Sequence, residues 1–346
     1  MNPKLTSRGE VEPARESVSL ADVAKRAGVS ASTASKALNA RTDVNDATRA
    51  RVEAAARELG YVPNTMAQGL TGAKTGTVGV ITSDLEGRFA LPILMGVEDA
   101  LGTDRVLTFL CDARGDEVRE QRLVAALLAR RVDGIIVVGR QTDARASLGA
   151  LSVPVVYVYA FSDDPADVSI TVDNEQIGRV AGEHVLGAGR TRIAHISGEA
   201  HHRAARDRLT GLQHALRAQG LELTAPALFG DWSEAWGRAG TEVLLSSDSL
   251  PDAIVCGSDQ LARGALDVVR DRGLAVPEDI AVIGIDNWTA LAENSRPALT
   301  TVDMELEKLG RMAAYRLQRA TAGDKRTGTE RLPGRVVIRN STILRR

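Results

Sequence analysis

The stretch VSLADVAKRAGVSASTASKALN, residues 18–39, constrains this chain most, because it reads as two short helices joined by a tight turn, with too little hydrophobic material to fold alone. Ser19 offers an N-cap oxygen with Asp22 as its capping-box partner, a carboxylate well placed near a helix N-terminus. Leu20, Val23, Ala24 and Ala27 recur at helical spacing and make one face apolar. Gly28 can take the left-handed conformation that stops this helix, and Ser30, with Thr33 at N3, caps the next. Small residues at Ala24, Ala27 and Gly28 let the two helices approach closely. The second helix shows solvent Ala31, Ser32, Lys36 and the hydroxyls of Thr33 and Ser35, and carries no carboxylate. The pattern is a helix-turn-helix; an ordinary helical hairpin is the competing reading.

The following residues weigh against the hairpin. Asn45 caps a third helix over Asp46 to Leu59, whose Val52, Ala55, Ala56 and Leu59 close a three-helix core, with Gly60 past its end. The ordered run VSLADVAKRAGVS, then VNDATRARVEAAARELGYVPN, then AQGL resembles the lactose and galactose repressor family of bacterial transcription regulators. Further matches extend the resemblance over residues 18–343.

Composition sets the frame. At 346 residues, a prior of about 150 residues per domain allows two or three domains. Net charge is only −2, so no global basicity announces nucleic acid. Residues 18–74 hold eight Lys/Arg against five Asp/Glu, a local excess of three positive charges. Cys111 and Cys256 sit in the apolar runs VLTFLC and AIVC and read as small buried hydrophobes, with neither disulfide nor zinc spacing. No metal site is expected from His184, His195, His201, His202 and His214, which read as surface or core histidines, and no cofactor is expected. Residues 1–17 read as a disordered leader without a signal-peptide core. With no window approaching the roughly 18 apolar residues of a membrane span, the expected location is cytoplasmic.

Residues 63–74 form a linker in which Asn64 to Leu70 can make barely two helical turns. Gly69 costs about 1 kcal/mol relative to Ala in a helix, so this segment is expected to order only with a partner. From Val78 onward, apolar strands alternate with amphipathic helices, the mark of parallel sheets with crossover helices. A short helical piece is expected near Ala144 to Leu151, and two similar α/β halves flank a cleft.

The fold class is therefore α/β: an N-terminal all-α helix-turn-helix domain (18–62), a hinge helix or linker (63–74) and a core (75–346). The resemblance makes the core periplasmic-binding-protein-like, type I, with two α/β subdomains and parallel sheets. It places 75–172 and 302–322 in one subdomain, and 173–301 and 323–346 in the other. It also implies three crossover strands, with a return near Val302.

By match to the family motif, Ala31, Ser32 and Lys36 occupy base-reading positions on the recognition helix. Lys36 can donate to guanine, whereas Ala31 offers only a methyl; a solvated lysine or a phosphate contact is the competing role for Lys36. Ser30, Thr33, Ser35 and Asn39 are expected to meet phosphates. The resemblance assigns Leu70 to a wedge in the minor groove, with Ala67 beside it and Asn64 and Gln68 as polar neighbours. Packing of Leu70 against the core is the alternative.

In open α/β sheets, ligands bind at the carboxyl ends of strands. Phe89, Tyr159, Ser258 and Asp286 fall at such ends. The resemblance adds Arg208, in RAARDRLTGL, as an arginine facing the ligand, and Trp232, in GDWS, as a ring that stacks on a sugar. Arg208 and Asp286 are expected to form a bidentate donor and acceptor pair for vicinal hydroxyls, which suits a sugar, sugar derivative or nucleoside. An ion bridge between the halves is the competing role for the pair, and core packing for Trp232. Trp236, Asn287 and Trp288 are possible border residues.

The expected protein is a homodimeric transcription regulator, a repressor, on a palindromic double-stranded operator, controlled by a small effector in the cleft, and not a membrane protein. Dimer rather than tetramer follows from the absence of heptads after RNSTILRR. A solute-binding or sensory protein is the principal rival. An enzyme ranks third, because no G-x-S-x-G, Walker loop or well-placed G-x-G-x-x-G occurs.

Overall fold

A computed structural model describes residues 18–38, 43–61, 74–102, 106–247 and 249–343. The expected leader, Asn39 and the hinge residues Asn64, Ala67, Gln68 and Leu70 lie outside the described residues. The chain divides into two units at residue 74.

The first unit contains α1 (Leu20–Ala27), α2 (Ala31–Leu38) and α3 (Asp46–Leu59). Ser19 and Asp22 form the reciprocal capping box, and Asn45 Oδ1 accepts from Thr48 N–H at 2.8 Å. Gly28 and Gly60 both end their helices in the left-handed region, at φ of 65° and 66°. The core is built almost wholly from small side chains: Val23, Ala24, Ala27, Ala34, Ala37, Val52, Ala55 and Ala56. Helices meeting through alanine pack close, which sets α2 firmly against the other two.

The second unit holds two six-stranded sheets. The strands of its first half are β1 (Thr77–Thr82), β2 (Leu107–Asp112), β3 (Gly134–Val138), β4 (Ala144–Arg145), β5 (Val155–Val158), β6 (Phe161–Ser162) and β7 (Val168–Val172). Helices α4 (Ala90–Gly102) and α5 (Glu117–Ala129) connect them. Then come α6 (Asn174–Gly187), β8 (Ile193–Ser197), α7 (Arg203–Arg217), β9 (Leu228–Phe229) and α8 (Glu234–Leu245). They are followed by β10 (Ala253–Cys256), α9 (Asp259–Asp271), β11 (Ala281–Asp286), α10 (Thr289–Ala292) and β12 (Thr300–Asp303). The chain closes with α11 (Leu306–Thr321), β13 (Gly328–Leu332) and β14 (Arg335–Val337).

The first sheet runs β13-β7-β5-β3-β1-β2, all parallel. The second runs β14-β12-β11-β10-β8-β9, with only β14 antiparallel. Strand alternation explains the double-sided burial of the first sheet. Val80, Ile136, Val138, Val156 and Val158 pack with Ile93, Val97, Leu309 and Leu317 on one face. Ile81, Ile135, Val137 and Tyr157 pack with Val124 and Leu127 on the other. Cys256 is buried and Cys111 half-buried.

Three expectations need correction. No helix forms near Ala144 to Leu151: Ala144–Arg145 pairs as a strand with Phe161–Ser162, and Leu148 N–H donates to Tyr157 Oη at 2.7 Å, which ties down the segment that follows. The return crossover follows Asp303 rather than beginning at 302, because Thr300–Asp303 stays in the second sheet beside β11. Residues 328–332 belong to the first lobe and not the second, because β13 pairs in parallel with β7 from Gly328↔Val168 to Leu332↔Val172. The chain thus passes between lobes after Val172, after Asp303 and after Leu332.

Candidate functional site

On α2, Ala31, Ser32 and Lys36 are exposed, as is Ser30 just before it, while Thr33 and Ser35 are half-buried. Ser30 Oγ accepts from Thr33 N–H at 3.1 Å and lies 2.8 Å from the Thr33 hydroxyl, so both serve the cap of this helix. Lys36 Nζ pairs with Asp43 Oδ2 at 2.6 Å, with both side chains about half exposed. Such an exposed pair is worth about 1 kcal/mol or less, so a phosphate or base edge can take the ammonium from it.

In the core, a cavity of about 580 Å³ opens between the lobes. Of the expected ligand residues, Phe89, Tyr159, Arg208, Trp232 and Asp286 line it. Ser258 does not: it is the buried N-cap of α9, its Oγ accepting from Leu261 N–H at 3.3 Å. Phe89 and Tyr159 bring their rings to 5.4 Å, giving the cavity an aromatic wall from the first lobe. Tyr159 and Asp286 have φ of 70° and 125°, sparsely populated values for residues with a Cβ that often mark ligand sites.

Arg208 is held from all sides. Its Nε donates to Asn174 Oδ1 at 2.9 Å, Nη1 to the Gly257 carbonyl at 2.5 Å and Nη2 approaches Met304 Sδ at 3.2 Å. It is 3 % exposed, and α6 and α7 touch backbone to backbone here; a Cβ on Gly178 would lie 1.9 Å from the Arg208 carbonyl oxygen. Arg208 and Asp286, expected as a donor and acceptor pair for vicinal hydroxyls, both line the cavity. Arg208 Nη1 stands 3.9 Å from Asp286 Oδ1, and it is Arg88 that meets this carboxylate, Nη2 to Oδ2 at 2.6 Å. Arg88 Nη1 also donates to Gln260 Oε1.

Burial pushes the Asp286 carboxyl above its ordinary range, while Arg88 and Arg208 pull it down. Asp259 is raised too, by burial and by Asp286; its oxygens accept from the Thr301 hydroxyl at 2.6 Å and from Trp288 N–H at 2.7 Å. Trp232 leans over the Arg208 guanidinium at 5.9 Å and donates its indole N–H to His202 Nδ1 at 2.8 Å. Trp236 instead donates to the Ser197 carbonyl and packs in the second lobe. Asn287 and Trp288 line a second cavity of about 440 Å³ that shares Arg88, Phe89 and Asp286 with the first.

Sequence reasoning missed Arg88, Asp143, Glu199 and Gln260, and placed His201 and His202 outside the site although both line it. These residues follow strands as the others do, but no periodicity marks them. Among the cavity-lining residues, Asp143 Oδ2, Glu199 Oε2 and Asp286 Oδ1 are buried oxygens without a hydrogen-bond partner. Buried polar atoms are seldom left unpaired, and Arg88 Nε on the same cavity is an unpaired donor, so this wall can take both donors and acceptors from a bound molecule.

The chain matches the model of bacterial regulatory proteins of the lacI family over residues 19–64, and a periplasmic binding protein-like domain over 182–342. It is 33% identical to the catabolite control protein A of Priestia megaterium over 334 residues, covering 94% of this chain and 99% of that protein. It is 32% identical to the lactose operon repressor of Escherichia coli, covering 94% and 91%. Among solved structures, the lac repressor dimer bound to operator and the anti-inducer ONPF superposes with a TM-score of 0.79 at 30% identity, covering 95% of this chain and 100% of that one. The regulator CelR in complex with cellobiose gives 0.65 at 30%, covering 94% and 100%.

Proposed function

The chain belongs to the lacI family of bacterial regulatory proteins; it is a DNA-binding transcriptional regulator and not an enzyme, and we propose that it is a repressor released from or recruited to its operator by a sugar-like effector in the interlobe cavity. The unpaired oxygens of Asp143, Glu199 and Asp286 carry the effector reading. A polyol supplies hydroxyl donors to all of them while its ring faces stack on Phe89, Tyr159 and Trp232. Sugars, sugar derivatives and nucleosides share this pattern.

On the DNA side, Ala31, Ser32 and Lys36 face bases, and Ser30, Thr33, Ser35 and Asn39 meet phosphates. The hinge residues Asn64, Ala67, Gln68 and Leu70 enter this reading from the sequence match alone. A cytoplasmic homodimer on a palindromic duplex completes it. The dimer is supported by the outer strand β2, where Leu107, Phe109 and Leu110 are exposed, and by the neighbouring α4, where Leu91 and Met95 are exposed too. Among the described residues no helix is long and apolar enough to cross a membrane.

An effector moves the operator equilibrium only by its different affinity for two core states, commonly worth about 1–3 kcal/mol. The test is a thermal-shift screen of sugars, sugar phosphates and nucleosides, followed by operator binding with each hit. A hit that changes operator affinity supports the reading; stabilisation without any effect on DNA binding sinks it. For the DNA function itself, affinity for a selected duplex must fall steeply with salt.

A further inference from the structure

Arg88 belongs to the first lobe, in the segment between β1 and α4. Its partners belong to the second: Gln260 on α9 and Asp286 at the end of β11. The ion pair is withdrawn from water, with side-chain exposures of 18% for Arg88 and 2% for Asp286. The guanidinium lies 4.5 Å from the Phe89 ring centre and 5.1 Å from that of Trp288, one aromatic from each lobe. Other bonds join the lobes here: Asp143 Oδ1 accepts from Arg203 N–H at 2.9 Å, and Asn174 Nδ2 donates to the Thr142 hydroxyl at 2.9 Å. Neither pairs two charged side chains.

We propose that Arg88 is an internal strut that holds the lobes together by pairing with Asp286 Oδ2, and that the effector, entering at the unpaired Oδ1, acts by drawing the carboxylate away from it. This rests on the effector reading above. A planar guanidinium with its charge matched, its faces covered by rings and one edge on a glutamine amide defines a single lobe-to-lobe geometry. The same pair walls both interlobe cavities, so any ligand reaching Asp286 lies beside Arg88. The effector is thus selected for a hydrogen-bond donor strong enough to compete with an arginine already in place. Its apparent affinity is reduced by the fraction of chains in which the strut is closed. Loss of the strut frees the lobes to adopt the second state, which gives one residue both a selective and a transmitting role.

The experiment uses the full chain and two variants. Arg88→Met keeps a long apolar stem between the rings but removes the charge; Arg88→Lys restores a cation. Without ligand, small-angle scattering and hydrogen exchange of the segments around Asp84–Pro92, Ser258–Leu261 and Gly284–Thr289 report closure. The methionine variant is expected to be more open, with at least fivefold faster exchange there, and the lysine variant to return towards wild type. Equal scattering and equal exchange in wild type and Arg88→Met would overturn the strut. With an effector from the screen, Arg88→Met is expected to bind about tenfold more tightly; weaker binding would overturn the competition. If no compound binds wild type or variant, the effector reading fails while the ligand-free comparison still decides the strut.

Discussion

Trp232 Nε1 donates to His202 Nδ1 at 2.8 Å, which places the histidine's proton on the other ring nitrogen. Glu199 Oε2 lies 3.2 Å from that same Nδ1 and so faces a lone pair instead of a donor. One indole N–H thereby leaves a cavity carboxylate oxygen without a donor.

Replacement of that donor gives a first prediction. Trp232→Phe retains an aromatic face but lets His202 move its proton to Nδ1 and satisfy Glu199. Effector affinity is expected to drop by about 10- to 100-fold, on the scale of one to two charge-assisted hydrogen bonds, with operator affinity in the absence of effector unchanged. Isothermal titration with a hit from the screen checks it, and an unaltered dissociation constant would remove the Trp232–His202–Glu199 relay from the site.

On the recognition helix, Lys36 and Asp43 form an exposed pair. Lys36→Ala is expected to cost about 1–3 kcal/mol and to relax base preference at one operator position if Lys36 reads a base. A uniform loss across sequences, with the salt slope reduced by about one, would assign it to a phosphate instead. Asp43→Ala should leave operator affinity equal or a few-fold higher, because the pair it breaks is worth about 1 kcal/mol or less. Competition binding on a duplex library distinguishes these results.

Leu107 is 69% exposed on the outer strand of the first sheet. Leu107→Glu places a charge where a partner copy would bury it, so the variant is expected to run as a monomer at micromolar concentration and to lose operator affinity. Sedimentation velocity measures the mass; a variant that remains dimeric would put the interface elsewhere.

His195 supplies a pH dependence. Its Nδ1 bonds the Val255 carbonyl at 2.8 Å, and burial lowers it from the ordinary 6.5 to about 4. The unfolded chain therefore takes up this proton before the folded one does. Stability is complete above pH 6.5 and is lost as pH falls towards 4, by about 3 kcal/mol in total. Asp259 has the opposite sign: raised by burial, it contributes stability that is lost as pH rises above the ordinary carboxylate range. Urea melts from pH 7 to 4.5 on wild type and His195→Gln isolate the histidine, since only the difference between the two curves should carry its slope. A difference curve flat with pH would contradict the assignment.

The helix-turn-helix was readable because its instructions are local. Ser19, Asp22, Gly28, Asn45 and Gly60 act within a few residues of themselves, and each does in the structure what its chemistry dictates. The alternation of strand and helix was readable for the same reason. The strands Val168–Val172, Thr300–Asp303 and Gly328–Leu332 carry no such local mark, being short and partly polar. They exist because distant neighbours supply their hydrogen bonds, and the last of them changed which lobe its residues join.

Within the cleft the division is the same. Asp286, Tyr159 and Phe89 could be placed at strand ends from the pattern of the chain, so the presence of a polar, aromatic cavity followed from sequence by itself. What each side chain does there did not. Arg208 is anchored within the second lobe and its hinge by Asn174, Gly257 and Met304, partners that no motif marks, while it still lines the cavity. Arg88, unmarked by any motif, became the partner of Asp286 from 198 positions away. Capping, periodicity and turn chemistry are short-range and survive in a linear reading. Satisfaction of a buried charge depends on which groups three-dimensional closure brings within about 3 Å, and only the tertiary structure decides that.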